Sequence, residues 1–431
     1  MNSSFLPVTE SYLGIDIGTS GARAILISGD TRVLASASST LPASRNHHDM
    51  LCQQPEDWWH AVLDCLQKIT LLHDCSGLQA IAIDGTSGTT LLTDTRNQPI
   101  SPALMYNDIR SADLLDSICS SAPQVIACNR SSALVKAVFL YQNYAPSGEY
   151  LIQQQADWIQ AKFTGKPGIS DWNNALKLGF DVEQLEWPDW LTAINMGSRQ
   201  LPEVLPPGQR IAVISPQIAR QTGLPESTRL HAGTTDSIAA FLASGARIPG
   251  EAVTSLGSTL VLKLCTRKPI ISNAHGIYSH RLDQHRWLAG GASNSGGAVL
   301  KKNFTLDELV SLSEKINPDT STGLDYYPLP SKGERFPHPD PEKVPVMQPI
   351  PDDRAIYLQA IFEGIAQIEK HGYDLLEELG GDKVLSVRSC GGGSANTVWT
   401  RMRERIVGRP FVPARQTEAA YGSALLAAGK L

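Results

Sequence analysis

Tyr12-Leu13-Gly14-Ile15-Asp16-Ile17-Gly18-Thr19-Ser20-Gly21-Ala22-Arg23-Ala24-Ile25-Leu26-Ile27-Ser28 reads as two apolar strands joined by a Gly-Thr-Ser-Gly turn. Such a turn brings several backbone N–H groups to one point, with two hydroxyls alongside, and this nest binds phosphate oxygens without a lysine. Asp16, just before it, can hold Mg2+ through water, because magnesium keeps part of its hydration shell and bridges to phosphates. Arg23 can neutralise remaining phosphate charge. Taken alone, the same letters also describe an ordinary hairpin with a polar turn.

Working outward, residues 33–38 form a third strand. Residues 55–71 carry apolar side chains at helical spacing behind the start Gln54-Pro55-Glu56-Asp57. Strands at 78–83 and 90–93 flank Asp84-Gly85-Thr86-Ser87-Gly88. The second half has a similar module. Strands at 251–256 and 260–264 flank Gly257-Ser258-Thr259, and a helix over 356–379 precedes a strand at 384–389. Gly391-Gly392-Gly393-Ser394 then opens a helix from about 395 to 407, and residues 417–428 close the chain as an Ala-rich helix. Strand–turn–strand, helix and strand, once per half, indicates a duplicated fold whose letters have diverged. The Pro-rich segment 320–353 reads as an irregular excursion, too aromatic to be disordered.

A length of 431 residues suits two domains, and 42% hydrophobic with 19% charged residues suits globular cores. A formal charge of −6 without basic runs argues against nucleic-acid or anionic-membrane partners. Seven cysteines show no zinc or redox spacing, so reduced thiols and a cytoplasmic location are expected. No signal peptide or membrane span is evident, which makes the Asn2-Ser3-Ser4 sequon a chance match. The ten histidines lack ligand spacing, His47 and His48 being adjacent, and Trp58 and Trp59 are expected to pack in a core.

Two hydroxyl-bearing turns, 18–21 and 257–259, can together grip one polyphosphate. The triple glycine at 391–393 lets backbone approach a flat ligand, with Asn396 adding a hydrogen bond; it matches neither a Walker loop nor a dinucleotide fingerprint. Asp236 follows Ala232-Gly233-Thr234-Thr235 at a helix start. An aspartate there can be a cap, or it can take a proton from a substrate hydroxyl in phosphoryl transfer.

Together these segments resemble the FGGY family of carbohydrate kinases, in the actin-like ATPase superfamily. Residues 12–20 resemble its first phosphate motif, and Tyr106-Asn107-Asp108-Ile109-Arg110 resembles its segment near the sugar. Asp171-Trp172-Asn173-Asn174-Ala175 and residues 233–245 resemble its Asp-x-x-Asn-Ala element and the stretch with the catalytic aspartate. Ser295-Gly296-Gly297-Ala298, residues 389–399, Gly408-Arg409-Pro410 and Glu418-Ala419-Ala420 resemble its nucleotide side. The resemblance runs from Tyr12 to the C-terminus, with the boxes in family order.

It implies an α/β fold of two actin-like (ribonuclease H-like) domains, 12–235 and 236–431, with a cleft between them. ATP and Mg2+ would be used there, closure would exclude water, and the assembly would be a monomer or homodimer. Asp236 would be the base. Asp16, Thr19, Ser87, Asp108 and Asp236 would contact sugar. Gly18, Thr19, Ser20, Arg23, Gly257, Ser258, Gly296, Gly392 and Asn396 would hold the nucleotide, with Asp16 near Mg2+ through water.

One departure bears on the substrate. Where glycerol kinases carry Arg-Glu and bacterial xylulokinases Met-His, this chain has Ser87-Gly88. The local string is similar to the short ribulokinase-type branch of cyanobacteria and plants, which implies phosphorylation of D-ribulose to D-ribulose 5-phosphate, with D-xylulose as runner-up. Outside the family context, Asp108 and Arg110 read as a surface ion pair. Two rivals from other classes are an actin-like switch ATPase and a non-catalytic sugar sensor. A switch hydrolyses ATP without sugar, a sensor binds sugar without turnover, and a kinase consumes both in equal amounts.

Overall fold

The computed structural model describes residues 10–47, 50–122, 129, 131–145 and 149–430. The Asn2-Ser3-Ser4 sequon, His48 and Cys128 lie outside them. The chain forms two compact units, one of residues 1–243 with 418–431, the other of residues 244–417.

The first unit is built on a six-stranded sheet ordered Arg210–Val213, Arg229–Thr235, Leu78–Gly85, Ser11–Ile17, Gly21–Ser28, Val33–Thr40. Ser11–Ile17 pairs antiparallel with Gly21–Ser28 and parallel with Leu78–Gly85. Its near-continuous apolar run follows from burial on both faces, since Leu13, Ile15 and Ile17 on one face and Gly14 and Asp16 on the other are all buried. The helix Pro55–Leu72 covers one face with Trp58, Val62, Cys65, Leu66 and Ile69. Trp58 and Trp59 are core residues, Trp58 meeting Trp158 edge-on at 6.1 Å. A second sheet of five short strands, ordered Arg45–His47, Met50–Gln53, Ala103–Leu104, Thr90–Thr93, Leu151–Gln154, carries its own apolar cluster.

The second unit repeats the plan. Its sheet runs Tyr278–Arg281, Trp287–Ser293, Leu260–Thr266, Glu251–Leu256, Ser386–Cys390. Glu251–Leu256 pairs antiparallel with Leu260–Thr266 and parallel with Ser386–Cys390, the same relation that Ser11–Ile17 has to its neighbours. The duplication expected from the element order is therefore present in the strand topology. The helix Arg354–Glu378 supplies much of the core through Leu358, Ile361, Phe362, Ile365 and Tyr373. Inside it Arg403 meets Glu369 in a fully buried ion pair, Nε to Oε2 at 2.7 Å and Nη2 to Oε1 at 2.7 Å. The hydroxyl of Thr254 donates to the same carboxylate at 2.5 Å, so the pair is hydrogen-bonded as buried charges must be. Residues 320–353 hold no helix or strand but are ordered by Glu334, which accepts from Ser293 Oγ at 2.6 Å and from Asn294 N at 2.8 Å.

By packing, the division between the units follows Ala243. The helix Asp236–Ala243 stays with the first unit, and Glu418–Leu431 returns to it. Close packing is the reason. A Cβ on Gly14 would lie 1.8 Å from the carbonyl oxygen of Ala420, and one on Gly422 would lie 1.9 Å from that of Ala239. Glycine alone lets the closing helix Ala419–Ala427 lie directly on the strand Ser11–Ile17 and on the helix Asp236–Ala243. Among the described residues no helix is long and apolar enough to cross a membrane.

Candidate active site

In the first unit the strand register sets out a row of polar side chains. Arg23 lies opposite Asp16, Asp16 opposite Asp84, and Asp84 opposite Thr234. Arg23 Nη1 reaches Asp16 Oδ2 at 3.3 Å, and its Nε reaches Glu418 Oε2 at 3.3 Å. Thr234 Oγ1 accepts from Asn173 Nδ2 at 3.0 Å, which brings in the Asp171–Ala175 element. Asp84 is fully buried and accepts from Ser423 Oγ of the closing helix at 2.5 Å.

Burial raises both carboxyls of the Asp16–Asp84 pair. In Asp16 a hydrogen bond from Asp84 and the Arg23 guanidinium oppose that rise. In Asp84 the charge of Asp16, and further off that of Asp236, add to it. Asp84 is raised the further of the two, so it is the weaker acid of the pair, and Asp16 beside Arg23 is the stronger. Asp84 was given no role from sequence. Its signal is an aspartate ending an apolar strand at the same step as Asp16.

The turn at residues 18–21 leaves Thr19 and Ser20 exposed. Gly18 N donates to Gly21 O at 2.9 Å, and Gln53 Nε2 donates to Thr19 O at 2.8 Å, so the turn is fastened from inside. Asp236 opens the helix Asp236–Ala243 directly after the strand Arg229–Thr235. It is half-buried, and its Oδ1 accepts from Ser237 N at 2.7 Å.

The Ser87 loop is pinned on both sides. The amide and hydroxyl of Thr86 donate to Gln155 Oε1 at 2.9 and 2.7 Å, and Gly88 N donates to Gln154 Oε1 at 3.0 Å. Ser87 Oγ itself is buried without a protein partner. Asp108 is buried rather than on the surface, although it does pair with Arg110. Its Oδ2 accepts from Leu51 N at 2.9 Å, and its Oδ1 accepts from Arg110 N at 3.1 Å. The carboxylate of Asp108 is thus occupied by its own chain.

In the second unit the turn Gly257-Ser258 sits at the start of the helix Gly297–Asn303, whose Gly297 and Ala298 amides donate to Gly257 O at 2.9 Å and Ser258 O at 3.0 Å. Gly296 has φ of 132°, and a Cβ there would lie 2.8 Å from the backbone of Thr259. Ser258 and Gly392 are exposed, and nothing lies within 4 Å of a Cβ built on Gly392. The helix after the triple glycine begins at Thr397, because Asn396 is its N-cap: Oδ1 accepts from Trp399 N at 2.9 Å and Nδ2 donates to Ser313 Oγ at 2.8 Å.

These groups fit Mg-ATP. Exposed hydroxyl turns and an unfilled glycine surface suit phosphates and a flat base, and a buried anion beside an arginine suits a hydrated cation. Among the described residues no three His, Cys, Asp or Glu side chains are grouped to hold a metal ion.

Comparison with known proteins identifies the family. Residues 11–243 match the N-terminal domain, and residues 252–430 the C-terminal domain, of the FGGY family of carbohydrate kinases. Among curated relatives, a xylulose kinase of Escherichia coli is 26% identical over 419 residues, covering 92% of this chain and 85% of its own. A gluconokinase of Bacillus subtilis is 23% identical over 467 residues, covering 98% and 89%. Among solved structures, a xyloylose kinase from Brucella ovis superposes with a TM-score of 0.87 at 23% identity, covering 98% of this chain and 91% of that one. Plasmodium falciparum glycerol kinase superposes with a TM-score of 0.85 at 18% identity, covering 98% and 90%. The chain belongs to the FGGY family of carbohydrate kinases.

Proposed function

We propose that this phosphotransferase acts on a ketopentose, D-ribulose first, and makes D-ribulose 5-phosphate. Asp236 takes the proton of the sugar hydroxyl as its oxygen bonds the γ-phosphorus of ATP, the bond to the β–γ bridging oxygen breaks, and ADP leaves. Thr19, Ser20 and Arg23 in the first unit, and Gly257 and Ser258 in the second, serve the phosphates, with Gly296, Gly392 and Asn396 on the nucleotide side. Mg2+, when bound, neutralises charge on the β- and γ-phosphates, and the residue that would hold it through water is Asp16.

The observation that carries the ketose reading is the Ser87 loop: a small-residue turn whose buried hydroxyl has no protein partner. A buried hydroxyl left unpaired in the protein costs free energy that a sugar hydroxyl can recover. Asp16, Thr19 and Asp236 would be the other sugar contacts, with Asp108 shaping the segment rather than binding. D-Xylulose remains a second reading, because several relatives at 22–26% identity are xylulose kinases.

The test is ADP release from Mg-ATP with D-ribulose, D-xylulose, L-ribulose, glycerol or no sugar. Strongest stimulation by D-ribulose is the expected result. Preference for D-xylulose would overturn the substrate and leave the mechanism standing. Equal release with and without every sugar would favour the switch-ATPase rival.

A further inference from the structure

Lys136 is fully buried on the helix Ala133–Tyr144, inside the apolar run Ala-Leu-Val-Lys-Ala-Val-Phe-Leu. Every neighbour in that run from Ala133 to Val138 is buried with it. Lysine is almost never placed so without a partner, since its amine must be desolvated. Burial pushes its pKa down to about 7, with the charge of Asp108 acting against that shift. For packing alone, an unbranched apolar side chain would serve this position as well.

What the amine does is specific. Lys136 Nζ donates to the carbonyl of Gly88 at 2.7 Å and to the carbonyl of Tyr106 at 3.1 Å. These carbonyls belong to two separate segments, the Ser87 loop and the Tyr106–Arg110 stretch. Gly88 has φ of 86°, so its carbonyl is turned by a left-handed residue that few others could replace. A second link joins the same segments on the other side, where Tyr106 N donates to Thr89 Oγ1 at 3.2 Å. Ser87, with its unpartnered hydroxyl, is held between Thr86, fixed by Gln155, and Gly88, fixed by Gln154 and Lys136.

We propose that Lys136 is a positioning residue for sugar recognition: by bridging the Gly88 and Tyr106 carbonyls it fixes the separation of the two segments and so the seat of the Ser87 hydroxyl. This rests on the reading of Ser87 as a ketose contact. An apolar isostere would keep the helix packed and leave both carbonyls orphaned, freeing the loop to shift by a fraction of an ångström. The loss would then fall on the sugar and not on the nucleotide.

The test is steady-state kinetics of full-length Lys136→Met, with ketose varied at saturating Mg-ATP and then the reverse. Expected are a rise of about tenfold or more in KM for the ketose, ATP KM within about twofold of wild type, and a D-ribulose to D-xylulose selectivity drawn toward one. Ketose KM and selectivity both within about twofold of wild type would overturn the proposal. If Lys136→Met is not recovered folded, the same comparison is made in Lys136→Leu, which likewise has no donor for the two carbonyls. Failure of both to fold would assign Lys136 to folding and overturn its role in recognition. Wild-type protein separates the two readings: no ketose-dependent ADP release overturns the ketose assignment and this proposal with it. A responsive wild type with an unaltered Lys136→Met overturns this proposal alone.

Discussion

Asp157 is a carboxyl in a place that resists charge. It caps the helix Gln155–Thr164 by accepting from Gln154 N at 3.0 Å, yet it is buried and its Oδ1 has no partner. Burial, then the nearby charge of Asp171, pushes its pKa from 3.8 to about 8. Between those values the folded chain holds a proton that the unfolded chain has released. This contribution to stability is therefore fully present below 3.8 and is lost as pH rises through about 8. Asp157→Asn should flatten the fall of Tm between pH 5 and 9 and gain about 1–3 kcal/mol at the alkaline end. A variant with the wild-type slope would show that Asp157 is ionised in the folded state. At this scale the sequence was legible in placement where a motif frames a residue: Asp16 near the end of its strand and Asp236 at its helix start. It was silent on Asp84, Lys136, Gln154 and Gln155, because each acts through a partner far along the chain: Ser423 for Asp84, Gly88 and Tyr106 for Lys136. Nor did it show that the carboxylate of Asp108 is engaged by the Leu51 and Arg110 amides and by the Arg110 guanidinium.

The closing helix Ala419–Ala427 is the element on which the first unit depends most visibly. It supplies Ser423 to Asp84, places Tyr421 and Leu425 against Ile25 and Ile27, and crosses the helix Asp236–Ala243 at Gly422. Gly422→Ala would drive a methyl into backbone that cannot yield. The expected cost is about 1–3 kcal/mol or more, read as a lower urea midpoint, with transfer activity reduced through the displaced Asp236 helix. An unchanged midpoint and activity would mean that the two helices are looser than their contact implies. Long elements followed from apolar spacing: the helix expected over 55–71 spans Pro55–Leu72, and the one expected over 356–379 spans Arg354–Glu378. Short ones did not. Ala103–Leu104 has no periodicity to read, and Arg210–Val213 lies on a sheet edge where no face is fully buried. The helix expected from about 395 starts at Thr397, because the side chain of Asn396 caps it.

Across the whole molecule the same strand plan occurs twice, and the candidate residues divide between its two copies. Each copy carries a hydroxyl turn between its first two strands, Gly18-Thr19-Ser20 in one and Gly257-Ser258-Thr259 in the other. That symmetry was readable from the order of strands and turns. The return of the last residues to the first unit was not, since it depends on glycine contacts between segments some four hundred residues apart, Gly14 with Ala420 among them. Asp236 closes the first unit's last long strand and opens its next helix, which puts a carboxylate on a rigid element, where a proton acceptor has to be held. The most direct measurement is ketose-dependent ADP release by Asp236→Asn, paired with calorimetric titration of the same protein with Mg-ADP. Loss of turnover by about 10²–10⁴-fold with nucleotide affinity retained is the predicted result. Turnover near that of wild type would contradict Asp236 as the base.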